Sequence, residues 1–182
     1  MVAPHDPRAI ANLMLDEADQ CGYQVTNLAL QKLLYFAHAI FLIEQKRPLV
    51  SGYFEAWQFG PVHPTAYQAF KGAADRPITL RATRIDVLTG GRAAIPPPDD
   101  IAIRRHVERI MHSYGGLSPG RLVQIAHAKE APWDFIVSKA TTSLTFGMRI
   151  ADDVIIQRFK HHKVAVSHST MIGEPGEDTP FA

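Results

Sequence analysis

The sequence predicts a mainly α-helical domain of the α+β class, with a small antiparallel β element inserted after the second helix. Segments before and after this element repeat apolar residues at helical spacing. The segment between them is rich in aromatic residues, glycine and proline. Beyond Val166 the chain is polar and aperiodic, which is typical of a flexible tail. We therefore expect a single helical domain over residues 6–160 and a flexible C-terminal tail over residues 167–182.

The first two helices have recognisable starts. Asp6 followed by Pro7 is typical of an N-cap and a first helical position, and Gly22 predicts the end of that helix. Thr26 predicts the cap of a second helix that extends to about Gln45. The second helix is apolar nearly all round, which is typical of a buried, central helix.

The β element comes next along the chain. A short aromatic strand is predicted over Tyr53–Gln58, and a short helix over Pro64–Lys71. Alternating apolar and polar residues predict a half-exposed strand over Ile78–Arg84. A second strand is expected either over Arg84–Leu88 or after the turn Thr89–Gly91.

The C-terminal half is again helical. Asp99 begins a predicted helix that ends at Gly115. Ser118-Pro119 marks the start of another helix, and Pro132 is expected to end that run. A last amphipathic helix is predicted over about Ile150–His161.

Composition excludes several classes of protein. The chain has 182 residues, enough to bury a sizeable core, and its net charge is only +1. The cationic residues are dispersed along the sequence, which argues against nucleic acid as a partner. Cys21 is the single cysteine, so an internal disulfide is impossible and a reducing cytosol is indicated. The longest apolar run, Leu33–Ile43, is too short to span a bilayer. We expect a soluble, cytoplasmic protein without a membrane partner.

The stretch FEAWQFGPVHPTAYQAF (Phe54–Phe70) predicts a corner between a strand and a helix. Gly60 relaxes the backbone there and Pro61 fixes its direction, so the corner needs no function to explain it. Three aromatic side chains nevertheless crowd it: Trp57, Phe59 and Tyr67. Such residues are good core residues and are also frequent in interface hot spots. The sequence alone leaves both interpretations open.

The nine histidines do not form a metal or catalytic motif. Their spacings do not suit chelation from one helix, so no metal and no cofactor are expected. His38 lies on a polar line of the buried second helix and needs a hydrogen-bond partner, which favours a structural role. His127 follows an apolar run and is placed to cap a helix end. The alternative hypothesis is a small hydrolase or nuclease that uses both imidazoles.

Three segments together resemble a known family, the Panacea domain. They are TNLALQKLLYFAHA (Thr26–Ala39), FEAWQFGPVHPTAYQAF, and YGGLSPGRLVQIAHAKEAPWD (Tyr114–Asp134). Within the family the sequence is most similar to the SocA-type antitoxins. One departure is Ala126, which precedes His127 where the family often has threonine, so a hydroxyl contact is absent here.

The resemblance implies an antitoxin that binds a cognate toxin protein encoded beside it, and that is not an enzyme. For the SocA type it also implies an adaptor that delivers the toxin to the ClpXP protease. We expect the toxin-binding surface at the crowded corner. Its predicted members are Trp57, Phe59, Pro61, His63 and Tyr67. Lys32, Tyr35 and His38 of the second helix are expected behind it, and Trp133 is a second anchor.

Overall fold

The computed structural model describes residues 3–140 and 148–162, and the predicted tail over residues 167–182 lies outside the described residues. Helix α1 spans Pro7–Cys21 and helix α2 spans Asn27–Gln45. The Asp6 side chain accepts a hydrogen bond from the backbone N–H of Arg8, which confirms it as the N-cap of α1. Thr26 caps α2 in the same way. The predicted boundaries of both helices are confirmed.

Helix α2 is the centre of the domain. Fifteen of its 19 residues are buried. It packs against α1, most of the later helices and the second strand of the sheet. A helix whose sequence is apolar on nearly all sides is therefore the buried helix at the centre of the domain.

A three-stranded antiparallel sheet lies beside α2. Its strands are β1 (Phe54–Trp57), β2 (Gly60–Val62) and β5 (Arg149–Ile150), in the order β2-β1-β5. The sequence predicted the first strand, but its interpretation of Gly60–Val62 as a simple corner was wrong. A proline is tolerated in β2 because this is an edge strand, where a missing N–H leaves no ladder bond unmade.

Helix α3 (Pro64–Phe70) leads into a 3₁₀ turn and then a separate hairpin. The hairpin pairs β3 (Thr83–Ile85) with β4 (Arg92–Ala94) in antiparallel fashion. The predicted return after Gly91 is confirmed, and the alternative strand over Arg84–Leu88 is wrong. The strand predicted over Ile78–Arg84 begins only at Thr83. Before it, the backbone N–H of Ile78 donates to the Val25 oxygen, and the backbone of Ala82 bonds to the side chain of Asn12.

Four helices complete the described chain. They are α4 (Ile101–Ile110), which continues as a π-helical turn over Met111–Gly115, then α5 (Pro119–Ala126), α6 (Pro132–Ala140) and α7 (Asp152–Arg158). The sequence missed α6, because it took Pro132 only as the end of a run. Proline is equally suited to the first turn of a helix, and Pro132 begins α6. The last helix begins two residues later than predicted, since Ile150 pairs with Phe54 in the sheet.

The predicted fold class is confirmed: the described chain is mainly helical, with small antiparallel strands after α2. One cluster of buried apolar residues joins α1, α2 and the sheet with the helices that follow. Among residues 3–140 and 148–162, none of the helices combines the length and apolarity that a membrane span requires.

Candidate partner-binding surface

The β1–β2 hairpin turns over two residues, Gln58 and Phe59, so that Trp57 faces Gly60 across the ladder. Gly60 has a φ of 113°, a conformation that side chains with a Cβ rarely adopt. An added Cβ would also lie 3.0 Å from Cε of Lys32 and 3.2 Å from Cβ of Ala126. Glycine thus allows the hairpin to approach both α2 and α5 closely.

Lys32 lies directly beneath this hairpin. Its side chain is fully buried, and its Nζ donates a hydrogen bond to the main-chain oxygen of Pro61 at 3.2 Å. A buried ammonium group needs such partners, because its desolvation is costly. The prediction placed Lys32 behind the corner, and that is its position in the structure.

Trp133 connects the start of α6 to the hairpin. Its indole Nε1 donates to the main-chain oxygen of Trp57. The imidazole of His127 lies flat against the same indole, with ring centroids 3.7 Å apart and an interplanar angle of 10°. His127 was predicted to cap the end of α5, and it is the C-cap residue there, because its backbone N–H donates to the Val123 oxygen. The imidazole does not take part in the cap and is stacked on Trp133.

The environment of His127 keeps the ring neutral. Burial, together with the positive charge of Lys32, lowers its pKa to about 4, although Asp134 acts in the opposite direction. Its Nε2 is buried and has no hydrogen-bond partner among the described residues. The stack therefore places a neutral imidazole, and no second cation, beside the buried lysine.

Trp57 is held from two sides. Its indole Nε1 donates to Oε2 of Glu55 at 2.8 Å, and the ring of Tyr67 meets it edge-on at a centroid distance of 4.8 Å. Only 8% of Trp57 is exposed, whereas Tyr67 and Phe59 are partly exposed. Sequence reasoning did not include Glu55, although a carboxylate two residues before a strand tryptophan lies on the same face of the strand.

His63 is enclosed at the junction of β2 and α3. Its backbone N–H donates to Oε1 of Gln31 at 3.0 Å, and its ring Nε2 donates to the Ser51 oxygen at 2.8 Å. Burial lowers the pKa of His63. The ring therefore fixes the position of the neighbouring loop.

Tyr35 and His38 lie deeper, on α2. Tyr35 is fully buried against Phe54 and Phe159, and burial raises the pKa of its phenol. His38 accepts the Val50 N–H at Nδ1, so its Nε2 carries the proton that faces Asp152 at 3.2 Å. His38 thus has the partners that its position on a buried helix required.

The predicted partner-binding residues divide into two groups. Six are enclosed in the free chain: Lys32, Tyr35, His38, Trp57, Pro61 and His63. Three are partly exposed: Phe59, Tyr67 and Trp133. We call the second group the aromatic surface. The first group shapes the aromatic surface from beneath, because its members position the hairpin and α3.

The comparison with protein families decides the identity of this domain. The family described as "Antitoxin SocA-like, Panacea domain" matches residues 30–134, which include the hairpin, His127 and Trp133. The chain belongs to the Panacea-domain family of SocA-like antitoxins.

A relative supports the same assignment over a greater length. The chain is 45% identical over 175 residues to the protein named Antitoxin SocA from Caulobacter vibrioides (strain NA1000 / CB15N). The alignment covers 96% of this chain and 93% of the relative. No solved structure matches the chain. The resemblance inferred from the three sequence segments is therefore confirmed.

The alternative histidine site has no geometric support in this Panacea domain. His38 bonds to Val50 and Asp152, whereas His127 stacks on Trp133. No hydrogen bond joins the two imidazoles within the described ranges. The aromatic neighbour of His38 is Phe54, on which the ring of His63 also packs. The two proposed catalytic rings therefore have separate surroundings.

Among the described residues, one group of possible metal ligands lies away from the hairpin, between α1 and the π-helical turn. Oε1 of Glu17 is 3.8 Å from both Sγ of Cys21 and Nε2 of His112. Burial, with the neighbouring Glu17 carboxylate, raises the pKa of the Cys21 thiol. None of these three residues belongs to the aromatic surface.

Proposed function

We propose that this chain is an antitoxin that binds its cognate toxin protein directly, and that it acts without catalysis and without a cofactor. The observation that supports this best is its similarity to a named antitoxin over 96% of its length. A second support is the aromatic surface, since tyrosine and tryptophan over a rigid frame are typical of interface hot spots. The partner is the protein encoded beside the antitoxin.

We propose further that the antitoxin works in the cytoplasm as an adaptor, delivering the bound toxin to the ClpXP protease. Residues 6–160 would supply the toxin-binding domain, and residues 167–182 would contact the protease as a tether. This division assigns the two tasks to separate parts of the chain. Removal of residues 167–182 should then leave toxin binding intact but slow toxin degradation.

Toxin turnover tests the adaptor role. The neighbour-encoded protein is incubated with ClpXP and ATP, with and without this chain, and its loss is followed over time. Loss that requires this chain supports delivery. Tight binding without degradation would leave an antitoxin that blocks its toxin by occupancy. Absence of binding would refute both roles.

The aromatic surface is tested by a pair of substitutions. Tyr67→Ala should weaken toxin binding about 30-fold, equivalent to about 2 kcal/mol, if Tyr67 is a hot spot. Gln157→Ala is the control, because Gln157 is exposed on α7 and does not belong to the aromatic surface. Equal affinities for both variants, measured by calorimetry on folded protein, would exclude this surface as the toxin-binding site.

Trp57→Ala separates a contact residue from a structural one. Trp57 is almost enclosed, so its truncation should destabilise the fold by about 3–5 kcal/mol. The toxin affinity of the fraction that remains folded should change little. A large loss of affinity with an unchanged melting temperature would instead place Trp57 in the interface.

A further inference from the structure

A groove lies between α3 and the β3–β4 hairpin, separate from the aromatic surface. Its volume is about 960 Å³, within the range of sites that hold ligands. The walls come from the start of α1, the outer side of α3 with its following turn, and the segment from Arg76 to Ile85. We call it the arginine groove, for the residues described next.

Among the residues that the structure describes, five arginines line the groove, and no aspartate or glutamate does. They are Arg8, Arg76, Arg81, Arg84 and Arg92. Two of them already have carboxylate partners, since Arg8 pairs with Asp6 and Arg81 pairs with Asp16 and Asp19. In the part of the chain that the structure describes, Arg76, Arg84 and Arg92 form no ion pair. The groove therefore has three positive charges available to a bound molecule.

Apolar side chains alternate with these charges. Leu80 and Ile85 are 79% and 76% exposed, although both are large and hydrophobic. The buried side chains of Phe70 and Ile78 also line the groove. Exposed apolar side chains gathered in one concave site are typical of a surface that binds another molecule.

The backbone adds a third feature. Strands β3 and β4 form a sheet of two strands, so each has an outer edge that pairs with no other described strand. An unpaired strand edge can accept an extended peptide as an additional strand. One group on this edge, the Thr83 oxygen, already accepts a hydrogen bond from Nη1 of Arg8.

We propose that the arginine groove is a docking site for an extended, acidic peptide segment of a partner protein, with carboxylates that alternate with apolar residues. The carboxylates would meet Arg76, Arg84 and Arg92, and the apolar residues would cover Leu80 and Ile85. This proposal does not depend on the identity of the toxin, nor on the aromatic surface.

The same observations favour a peptide over other anionic partners. A single-stranded nucleic acid would be expected to stack its bases on exposed rings, but Phe70, the one aromatic residue that the described chain brings to the groove, is buried. An anionic bilayer is flat, whereas the arginines line a concavity. A peptide strand fits the groove, supplies carboxylates and pairs with a strand edge.

The test measures binding of a fluorescein-labelled octapeptide that alternates glutamate and valine, by fluorescence anisotropy with the full chain. Saturable binding is expected, and the matching octapeptide with glutamine in place of glutamate should bind at least about tenfold more weakly. The double variant Arg84→Gln/Arg92→Gln should lose a similar factor. The control is Arg105→Gln/Lys129→Gln, which removes the same charge from exposed residues outside the groove and should bind like the parent chain.

Three results would overturn the proposal. The first is equal binding of the two octapeptides, or an equal effect of the two double variants. Either result would show that the charges of the groove do not recognise the carboxylates of the peptide specifically. The second is displacement of the labelled octapeptide by a single-stranded DNA oligonucleotide or by phosphatidylserine vesicles at a lower concentration than by unlabelled octapeptide. The third concerns this chain's own acidic stretch at residues 174–178. The triple variant Glu174→Gln/Glu177→Gln/Asp178→Asn removes the charges of this stretch in the full chain. If the triple variant binds the labelled octapeptide tenfold or more tightly than the parent chain, the stretch competes for the groove and is its occupant.

Discussion

The indole Nε1 of Trp133 and the main-chain oxygen of Trp57 are 2.7 Å apart and form a hydrogen bond between residues 76 positions apart in the sequence. The bond attaches the first turn of α6 to the end of β1. Because Trp57 also faces Gly60 across the hairpin, the position of Trp133 depends on the hairpin that it contacts. The partly exposed indole is therefore held in place, which would reduce the entropy lost on binding if Trp133 contacts the proposed partner.

Trp133→Phe removes this hydrogen bond but keeps an aromatic ring against His127. The Trp57 oxygen would lose its donor in a partly buried site, so the free energy of unfolding should fall by about 1 kcal/mol. Urea denaturation measures the change. Trp133→Ala also removes the stack and should cost more. If the two variants are equally stable, the stack contributes nothing.

Gly60→Ala should destabilise the domain by about 3 kcal/mol. The φ of 113° is unfavourable for alanine, and the new methyl group would press on Lys32 and Ala126. Gly90→Ala is the control, because Gly90 also has a positive φ, 67°, but has open space around it. That variant should lose only about 1 kcal/mol. Equal losses in thermal or urea denaturation would show that backbone conformation alone determines the cost.

Stability should fall as the pH is lowered from about 7 to about 5. The pKa of His127 is about 4 in the folded chain and 6.5 for an ordinary histidine, so the unfolded chain binds more protons between these values. The neutral His127 ring therefore stabilises the folded chain fully above the ordinary pKa of 6.5, and this stabilisation is lost as the pH falls towards the pKa of about 4 in the folded chain. For His127 the loss is about 2 kcal/mol over this interval. The pKa values of His63 and His106 are also lowered by burial, and they act in the same direction.

His127→Phe isolates the contribution of that residue. Phenylalanine keeps a ring for the stack on Trp133 but does not titrate. The slope of unfolding free energy against pH should become shallower in this variant, measured by urea denaturation at several pH values. An unchanged slope would mean that His127 does not titrate differently in the folded and unfolded chains.

His38→Leu should cost about 2 kcal/mol, because the Val50 N–H would lose its acceptor in a buried site. Asp152→Asn should cost less than about 1 kcal/mol, since the amide oxygen still accepts from Nε2 of His38 and the position is exposed. Denaturation of the two variants gives the comparison. If Asp152→Asn lowers the free energy of unfolding more than His38→Leu does, the contact of His38 with Asp152 matters more to stability than its bond to the Val50 N–H.

Local signals were sufficient to predict most helices. Asp6, Thr26 and Ser118 each accept a hydrogen bond from an N–H in the first turn of a helix, as side chains of this type do in most proteins. Helix α6 was missed because a proline gives the same signal at the end of one segment and at the start of the next. Only the packing of Trp133 against the hairpin distinguishes the two possibilities.

The surfaces were harder to predict than the elements. Aromatic crowding identified the corner, but it could not tell the enclosed Trp57 from the partly exposed Tyr67, because that depends on which side α3 covers. The arginines were interpreted as dispersed, and in sequence they are. Arg8 and Arg92 are 84 positions apart, yet the fold brings both to one groove. Charge clustering between distant segments cannot be obtained from spacing along the chain.

The side chain of Asn12 has a consequence for the arginine groove. Its amide oxygen accepts the Ala82 N–H at 2.8 Å and its amide nitrogen donates to the Ala82 oxygen at 2.9 Å. One side chain of α1 thus reproduces both bonds of a strand pairing, and its length sets the spacing between helix and hairpin. A longer glutamine would change that spacing, and an aspartate would turn a carboxylate towards a carbonyl oxygen. One wall of the groove, the segment that leads into the hairpin, is therefore attached to the first helix of the domain by a single amide group.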